Sequence, residues 1–427
     1  MTRRNKWLAW LGVPLALLCA LGIAAWVLIP SDEELAAMAK QQLEKALEVP
    51  VTVGAVHWTL FPLASATIEN VATQQEQPIK VRKLTAWPQL MPLLKRELRI
   101  GRVELDGAVV PQLSLRGLGG QDKKTASSQP VTDEIPVARF EFRDVTWISR
   151  RGIGVVYEGN VDFDPMWRPR KAYLARPGVT PATNLTLDRV EGEDRWNALV
   201  NVGGGTGIGE VRMRTEKDGK LRLDGKLAPR NVEISSALAA FNRRSAVSGR
   251  ANGSTTLTAS GDAMGEIAQS LHTQTRFTMA PATILRFDLD KAIRTVGKEH
   301  AGQTPLESLT GTLDTQNTAD GMVSTFTGLK ARSGSLSATG DATLVNRTVK
   351  AEFAVDLVDG IVGVPLKVSG PYSDLSFSLP GGAVAGAVVG TAVLPGIGTA
   401  IGARIGAAIG SIFKGAPAPA GKASTPK

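Results

Sequence analysis

Histidine and cysteine, which often serve as acid–base catalysts, nucleophiles and zinc ligands, are scarce in this chain. The three histidines, His57, His272 and His300, lie far apart, and the one cysteine, Cys19, lies inside an apolar stretch. No HExxH spacing or Cys–His cluster places two ligands on one element, as most zinc sites require. A single cysteine also excludes a disulfide within the chain. We therefore predict no metal site and no cofactor.

A glycine-rich stretch at 203–207 (GGGTG) resembles a phosphate-binding loop only in its glycine content. It lacks the Lys-Ser/Thr ending and a following helix, so a turn is the better interpretation. Glu299-His300 has no nucleophile at a fixed spacing. Asp356 and Asp359 are best interpreted as solvent-facing or turn acids and not as a catalytic pair. The sequence therefore predicts that the protein is not an enzyme.

Alternation of apolar and polar residues is the strongest pattern in the chain. At 349–357 an apolar residue occupies every odd position, whereas Lys350, Glu352 and Asp356 occupy even positions. A strand directs alternate side chains to opposite faces, so such a segment gives a sheet one apolar face. The residues predicted to line apolar faces in this way are Val349, Ala351, Phe353, Val355, Leu357, Leu221, Leu223, Val211, Met213, Phe140 and Phe142.

The elements that carry these residues are mainly strands, separated by turn signals such as Asp218-Gly219 and Asp224-Gly225. Short helices are predicted at 31–47, 235–241 and 289–296. A sandwich or a barrel is the usual form of an all-β chain of this length. Aromatic residues make up only 5% of the chain, too few to fill a thick two-sided core. We therefore expect a long, curved, groove-like antiparallel sheet whose apolar face is only partly covered.

The N-terminal segment 7–29 has no charged residue and is long enough to cross a bilayer core of roughly 30 Å. Arg3, Arg4 and Lys6 precede it, which predicts a single-pass anchor with a cytoplasmic N-terminus and the bulk of the chain outside. A cleaved signal peptide is the alternative. The apolar core of a signal peptide is usually about 7–15 residues long, whereas the apolar sequence here continues to Ile29, which favours the anchor.

Glycine recurs every fourth residue in two apolar runs near the C-terminus. This spacing places each set on one helix face and lets helices approach closely in lipid. We predict a helical hairpin that inserts into or packs on a membrane; packing on the body and oligomerisation are the alternatives. The zipper glycines are Gly382, Gly386, Gly390, Gly398, Gly402, Gly406 and Gly410.

The net charge of +9 is concentrated at the two ends of the chain. Three cations precede the N-terminal apolar segment, and four more lie after residue 380 with no acidic residue among them. Basic residues beside apolar segments favour anionic headgroups, whereas a nucleic-acid partner would need a basic face on the folded body. We predict a membrane partner and no nucleic acid.

These patterns predict six segments. They are a cytoplasmic stub and transmembrane anchor (1–30), a helix plus strands (31–117), a flexible linker (118–130), a β-rich domain (131–380), the glycine-zipper hairpin (381–413) and a disordered basic tail (414–427).

Several stretches resemble the AsmA family of bacterial envelope proteins, and the resemblance covers most of the chain outside the C-terminal tail. The N-terminal part matches at 49–71 and 78–107, the latter with LLKRELRIGRVELDG. The later part matches at 221–241, at 249–293 and in the closing strands. The region 167–209 matches least.

The resemblance implies an inner-membrane protein facing the periplasm, with a chorein-like repeated β-groove. It also implies a role in outer-membrane assembly or lipid homeostasis, with phospholipid acyl chains held or moved along the groove. A continuous apolar face is compatible, because sheltering each methylene from water contributes about 0.8 kcal/mol. The apolar-face residues above are then lipid-facing. The alternative is a structural or scaffolding protein that acts on outer-membrane protein assembly through contacts with envelope proteins.

Overall fold

The computed structural model divides into two compact units, residues 1–177 and residues 178–427. It describes residues 32–59, 63–89, 91–92, 99–117, 136–165, 168–262, 267, 270–288, 291, 299, 301–318, 321–334, 336–356, 364–371 and 375–378. The predicted anchor, the predicted linker, the helix expected at 289–296, Leu357 and all seven zipper glycines lie largely or wholly outside these residues.

Strands dominate both units. Unit 1 contains helix α1 (Asp32–Leu47), a short 3-10 helix (Ser114–Gly117) and strands β1 (Val51–Thr52), β2 (Ala55–Thr59), β3 (Ser65–Thr73), β4 (Lys80–Pro88), β5 (Ile100–Pro111), β6 (Arg139–Ile148), β7 (Gly154–Phe163) and β8 (Pro169–Ala175).

Unit 2 contains helix α2 (Ile234–Ala239) and strands β9 (Asn184–Arg189), β10 (Arg195–Val202), β11 (Gly205–Thr215), β12 (Leu221–Arg230), β13 (Val232–Glu233), β14 (Val247–Gly261), β15 (His272–Leu285), β16 (Gln303–Leu306), β17 (Ser308–Thr318), β18 (Gly321–Ser333), β19 (Leu336–Val345), β20 (Thr348–Asp356), β21 (Val364–Pro371) and β22 (Ser376–Ser378).

The strands of unit 1 form one sheet in nearly sequential order. β1 and β2 both pair with β3, and β4 to β8 follow one after another. All of these pairs are antiparallel except β5–β6, which is parallel. The sheet, expected to be antiparallel, therefore contains one parallel pair. The connection between residues 112 and 138 returns the chain to the end where β5 began, so β6 runs in the same direction.

Helix α1 packs against β1 and β2. Its first turn carries Asp32, Glu33 and Glu34, where acidic side chains interact favourably with the helix dipole. Asp32 Oδ2 lies 3.0 Å from His57 Nδ1 on β2. The Val51 backbone N–H donates to Glu44 Oε1 over 3.0 Å. These contacts connect both ends of the helix to the first two strands.

The strands of unit 2 also pair in sequence, and every pair is antiparallel. The order is β9, β10, β11, β12, β14, β15, β17, β18, β19, β20, β21 and β22, with β13 beside β14 and β16 beside β15. Among the described strands, β9 and β22 each have one neighbour, so the sheet of unit 2 is open.

The described part of the protein has no thick two-sided core. Val51 is the only described side chain that is less than 2% exposed. A closed sandwich or barrel would bury large side chains between two layers. The prediction of a mainly β chain with few short helices is confirmed. Within the described residues, no helix has the length and apolar character needed to cross a bilayer.

Helix α2 is attached to the sheet of unit 2 by the carboxylate of Glu233. Oε2 accepts from the Ser236 backbone N–H (2.7 Å) and the Ser235 hydroxyl (2.6 Å), and Oε1 accepts from the Gly249 N–H of β14 (3.0 Å). Burial alone would raise the pKa of Glu233. The hydrogen bonds from Ser235, Gly249 and Ser236 outweigh it and hold the pKa at about 2.

Glu233→Gln is expected to lower the free energy of unfolding by about 2 kcal/mol at pH 7, because hydrogen bonds to a charged group are lost. The native pKa lies below the ordinary 4.5, so this stabilisation is complete above pH 4.5 and disappears as the pH falls towards 2. Urea unfolding of the full-length protein at several pH values measures the difference. Glu216→Gln, at the exposed β11–β12 turn, is the control; an equal loss in both variants would contradict the role of Glu233.

Candidate functional site

The strand register of unit 2 aligns one row of side chains across eleven strands. Directly paired residues lie on the same face of a sheet. The row consists of Leu187, Ala198, Gly209, Leu227, Thr255, Thr275, Leu313, Phe326, Ala342, Ala351 and Val368. At about 4.8 Å per strand the row is roughly 48 Å long. We call the sheet face that carries this row the unit-2 apolar face.

Among the described strand residues of unit 2, Arg189 is the only charged residue that the register places on the unit-2 apolar face. It lies at the first strand of the sheet, with its guanidinium 5.7 Å from the centroid of the Trp196 ring. Its Nη2 also lies 2.6 Å from Asp194 Oδ1. The rest of this face consists of apolar side chains, glycine, proline and hydroxyl groups, with one amide, Asn317, near the end of β17.

The opposite face of the same strands is polar and charged. Ion pairs cross between neighbouring strands there: Arg195–Glu210 (2.9 Å), Arg214–Asp224 (2.8 Å) and Lys367–Glu352 (2.8 Å). Hydrogen bonds to Glu193 and Glu210 raise the pKa of the Arg195 guanidinium. The two faces thus differ in charge along the whole described sheet of unit 2.

The structure brings most of the predicted residues together. Eight of them lie on strands β11, β12 and β20, and all eight belong to the unit-2 apolar face. They are Val349, Ala351, Phe353, Val355, Leu221, Leu223, Val211 and Met213. Ala351 and Val355 are buried, and the larger side chains among them are half-buried.

One part of the unit-2 apolar face is covered. A small buried cluster forms where Ile234 of α2 packs against β14 and its neighbours; its members are Ala251, Met279, Ala282 and Leu306. Away from this cluster, Trp196 is 3% exposed, whereas Leu257, Leu313 and Leu344 are half-buried. These leucine side chains therefore keep part of their surface open.

Glycines on the unit-2 apolar face allow close approach between strands. A Cβ atom at Gly209 would lie 1.8 Å from the Lys226 carbonyl oxygen, and one at Gly340 would lie 2.1 Å from the Glu352 carbonyl oxygen. The Phe353 ring lies against Gly340, where its Cδ1 would be 2.5 Å from that Cβ. A large side chain thus lies beside a residue with none, which is a known reason for glycine inside a strand.

Unit 1 has two adjacent rows of uncharged residues of its own. One row across seven strands consists of Val56, Ile68, Leu84, Leu105, Phe142, Gly159 and Leu174, and the adjacent row consists of Trp58, Ala66, Ala86, Val103, Phe140, Val161 and Ala172. The predicted residues Phe140 and Phe142 stack here, with centroids 5.7 Å apart and an interplanar angle of 27°. Trp58 is 36% exposed, so this face is also open.

The other face of unit 1 carries a ladder of ion pairs. Arg102 lies 2.6 Å from Glu141 and 3.0 Å from Glu104, and Arg139 lies 2.6 Å from Glu141 and 3.1 Å from Asp162. Burial raises the pKa of Glu141, but Arg139 and Arg102 outweigh it and lower the pKa overall. The ladder fills the polar face opposite the two uncharged rows with matched charges.

Several residues of the unit-2 apolar face were missed by sequence analysis. Trp196, Phe277, Leu313 and Phe326 all lie on it. Their strands alternate, but threonine, serine or glycine occupies many of the apolar-face positions. The alternation in these strands becomes visible when threonine, serine and glycine are counted as compatible with an apolar face and charged residues as incompatible.

The glycine-rich stretch at 203–207 is a hairpin turn, as predicted. Gly203 (φ 57°) and Gly204 (φ 71°) join β10 to β11 in a left-handed conformation that suits a two-residue hairpin. In the described part of the chain, no three His, Cys, Asp or Glu residues are grouped so that they could hold a metal ion.

Comparison with known proteins adds no relative: no family model, no curated protein and no solved structure matches the chain.

Proposed function

We propose that the protein binds the acyl chains of lipids along its apolar sheet faces, without catalysing a reaction. The observation that carries the proposal is the row of uncharged residues across eleven strands of unit 2, on a sheet without a thick core. An acyl chain that lies along such a row loses contact with water, and each buried methylene contributes about 0.8 kcal/mol of favourable binding free energy. No charged group needs to be desolvated except at the Arg189 end.

The cellular setting is part of the same proposal. The apolar N-terminal segment at 7–29 would anchor the protein in the bacterial inner membrane, with the body in the periplasm. The glycine-zipper segment at 381–413 would add a second membrane contact. Together with the resemblance to the AsmA family, these features favour holding or moving phospholipid in outer-membrane assembly or lipid homeostasis.

A second candidate function is protein scaffolding. Leu199 and Ile208 are paired across β10 and β11 on the charged face, and they are 38% and 60% exposed. An exposed apolar pair on an otherwise polar face is a typical small contact point for another protein. An envelope protein would dock there, on the face opposite to the proposed lipid.

Photocrosslinking distinguishes the two functions. A benzophenone amino acid in place of Phe353, on the unit-2 apolar face, is expected to give lipid adducts in the full-length protein in native membranes. The same amino acid in place of Ala354, which is exposed on the opposite face, is expected to give none. Mass spectrometry of the adducts is the readout. The same amino acid in place of Leu199 tests the contact point of the scaffold. Protein adducts from Leu199, without lipid adducts from Phe353, would support the scaffold and refute the lipid proposal.

A further inference from the structure

A patch of hydroxyl groups interrupts the unit-2 apolar face. Five hydroxyl side chains from four neighbouring strands lie in two adjacent rows: Thr255, Thr273, Thr275, Thr315 and Ser324. Thr255 Oγ1 lies 2.9 Å from Thr275 Oγ1, and Thr273 Oγ1 lies 2.5 Å from Thr315 Oγ1. We call this group the hydroxyl patch.

The hydroxyl patch is surrounded by apolar side chains. Leu257 pairs with Thr273, Leu313 pairs with Thr275, and Leu344 pairs with Ser324, all on the same face. The four threonines are half-buried, and Ser324 is 8% exposed. Charged residues of these strands, such as Arg276 and Asp314, occupy the opposite face. The patch is therefore polar, neutral and partly open.

Each threonine pair keeps hydrogen-bonding capacity for a third group. A hydroxyl has one donor proton and two acceptor lone pairs. When one threonine donates to the other, the second keeps its own O–H and both keep lone pairs. Thr–Thr pairs across strands also stabilise sheets, so the pairing alone does not require a ligand. Both pairs, however, lie inside a face that is otherwise suited to acyl chains, and this position indicates a ligand.

The absence of charged residues around the hydroxyl patch indicates that the ligand group is uncharged. A phosphate or carboxylate placed among these residues would lose water and gain no cation, which is costly. A neutral oxygen, such as an ester carbonyl or a hydroxyl, needs only the donors and acceptors that threonine offers. Resting on the proposed lipid-binding function, we propose that the hydroxyl patch binds a neutral oxygen group of the lipid, and thereby fixes the position of the chain along the sheet.

Two pairs of probes test this proposal on the full-length protein in detergent. The first pair is dioleoylglycerol and its dialkyl ether analogue, which lacks the ester carbonyls. The second pair is octadecan-9-ol and octadecane. Displacement of a fluorescent C18-chain probe gives the affinities. The wild type is expected to prefer the ester to the ether, or the alcohol to the alkane, by about fivefold, the factor that one neutral hydrogen bond supplies. Preference in the first pair only identifies an ester, and preference in the second only identifies a chain hydroxyl.

Thr273→Val, Thr275→Val and Thr315→Val together remove three hydroxyls with little change in volume. This triple variant is expected to lose the preference while it still binds the ether and the alkane. Thr256→Val and Thr258→Val, on the exposed face of β14, serve as the control and should keep the preference. A wild type that binds both members of each pair equally, or a triple variant that weakens all probes to the same extent, overturns the hydroxyl-patch proposal alone. If no probe binds to the wild type, the proposed function itself fails.

Discussion

Gly209→Ala is expected to destabilise unit 2 by roughly 3 kcal/mol or more. The added Cβ would lie 1.8 Å from the Lys226 carbonyl oxygen and 2.8 Å from the Leu227 Cα, both of them backbone atoms of the adjacent strand β12. No side-chain rotation relieves such a contact. Either the β11–β12 pairing separates locally, or the backbones of both strands shift.

Gly207 provides a matched control on the same strand and the same face. A Cβ there would lie 3.7 Å from the Val200 Cβ and 4.0 Å from the Pro229 Cα, which are ordinary contacts. Gly207→Ala is therefore expected to change stability by no more than about 0.5 kcal/mol. Urea unfolding of the full-length variants, followed by circular dichroism, measures the difference. Equal stability of the two variants would show that the strands do not approach as closely as described.

Met213→Glu is expected to weaken acyl-chain binding at least tenfold without unfolding the protein. Met213 is half-buried on the unit-2 apolar face, opposite Leu223. A carboxylate there either loses water against the acyl chain or keeps the chain away, and both outcomes cost free energy. A tenfold change in the dissociation constant corresponds to about 1.4 kcal/mol of binding free energy. Removing a charge from water costs much more than this.

Ile208→Glu is the control for this charge. It makes the same kind of change on the same strand, but Ile208 is 60% exposed on the opposite, charged face. Lipid copurified per mole of protein, and the yield of lipid adducts from position 353, are the two readouts. If Ile208→Glu lowers lipid binding as much as Met213→Glu does, binding does not depend on the apolar face. If Ile208→Glu instead abolishes protein adducts from a benzophenone amino acid at position 199, the scaffold is favoured.

The period-two alternation of charged and apolar residues was sufficient to predict β20 and its face. In the segment 349–356 a single register satisfies both residue classes, and the observed pairing with β19 keeps that register. β15 was harder, because Thr273 and Thr275 occupy the apolar side and alternation counted on hydrophobic residues alone is weak there. The same threonines form the hydroxyl patch, so the weak pattern and the proposed specificity have one cause.

Pairing direction could not be predicted from local sequence. Nothing in β5 or β6 distinguishes a parallel neighbour from an antiparallel one, since alternation fixes faces and leaves direction open. The connection at 112–138 decides direction, and its composition gives only a flexible linker. The ion-pair ladder of unit 1 has the same limitation. Arg102, Glu141 and Arg139 are visible as alternating charges, but the pairs Arg102–Glu141 and Arg139–Asp162 depend on which strands become neighbours.

The open, sequential pairing in unit 2 has a consequence for how such a chain can change in length. Because almost every strand touches only the strand before it and the strand after it, the energy of the sheet is close to a sum of nearest-neighbour terms, as in solenoid proteins. Duplication or deletion of one hairpin would then add or remove about 10 Å of surface and leave the remaining interfaces intact. If the proposed lipid binding holds, the number of hairpins would set the length of acyl chain that the sheet can cover, with no central packing to redesign.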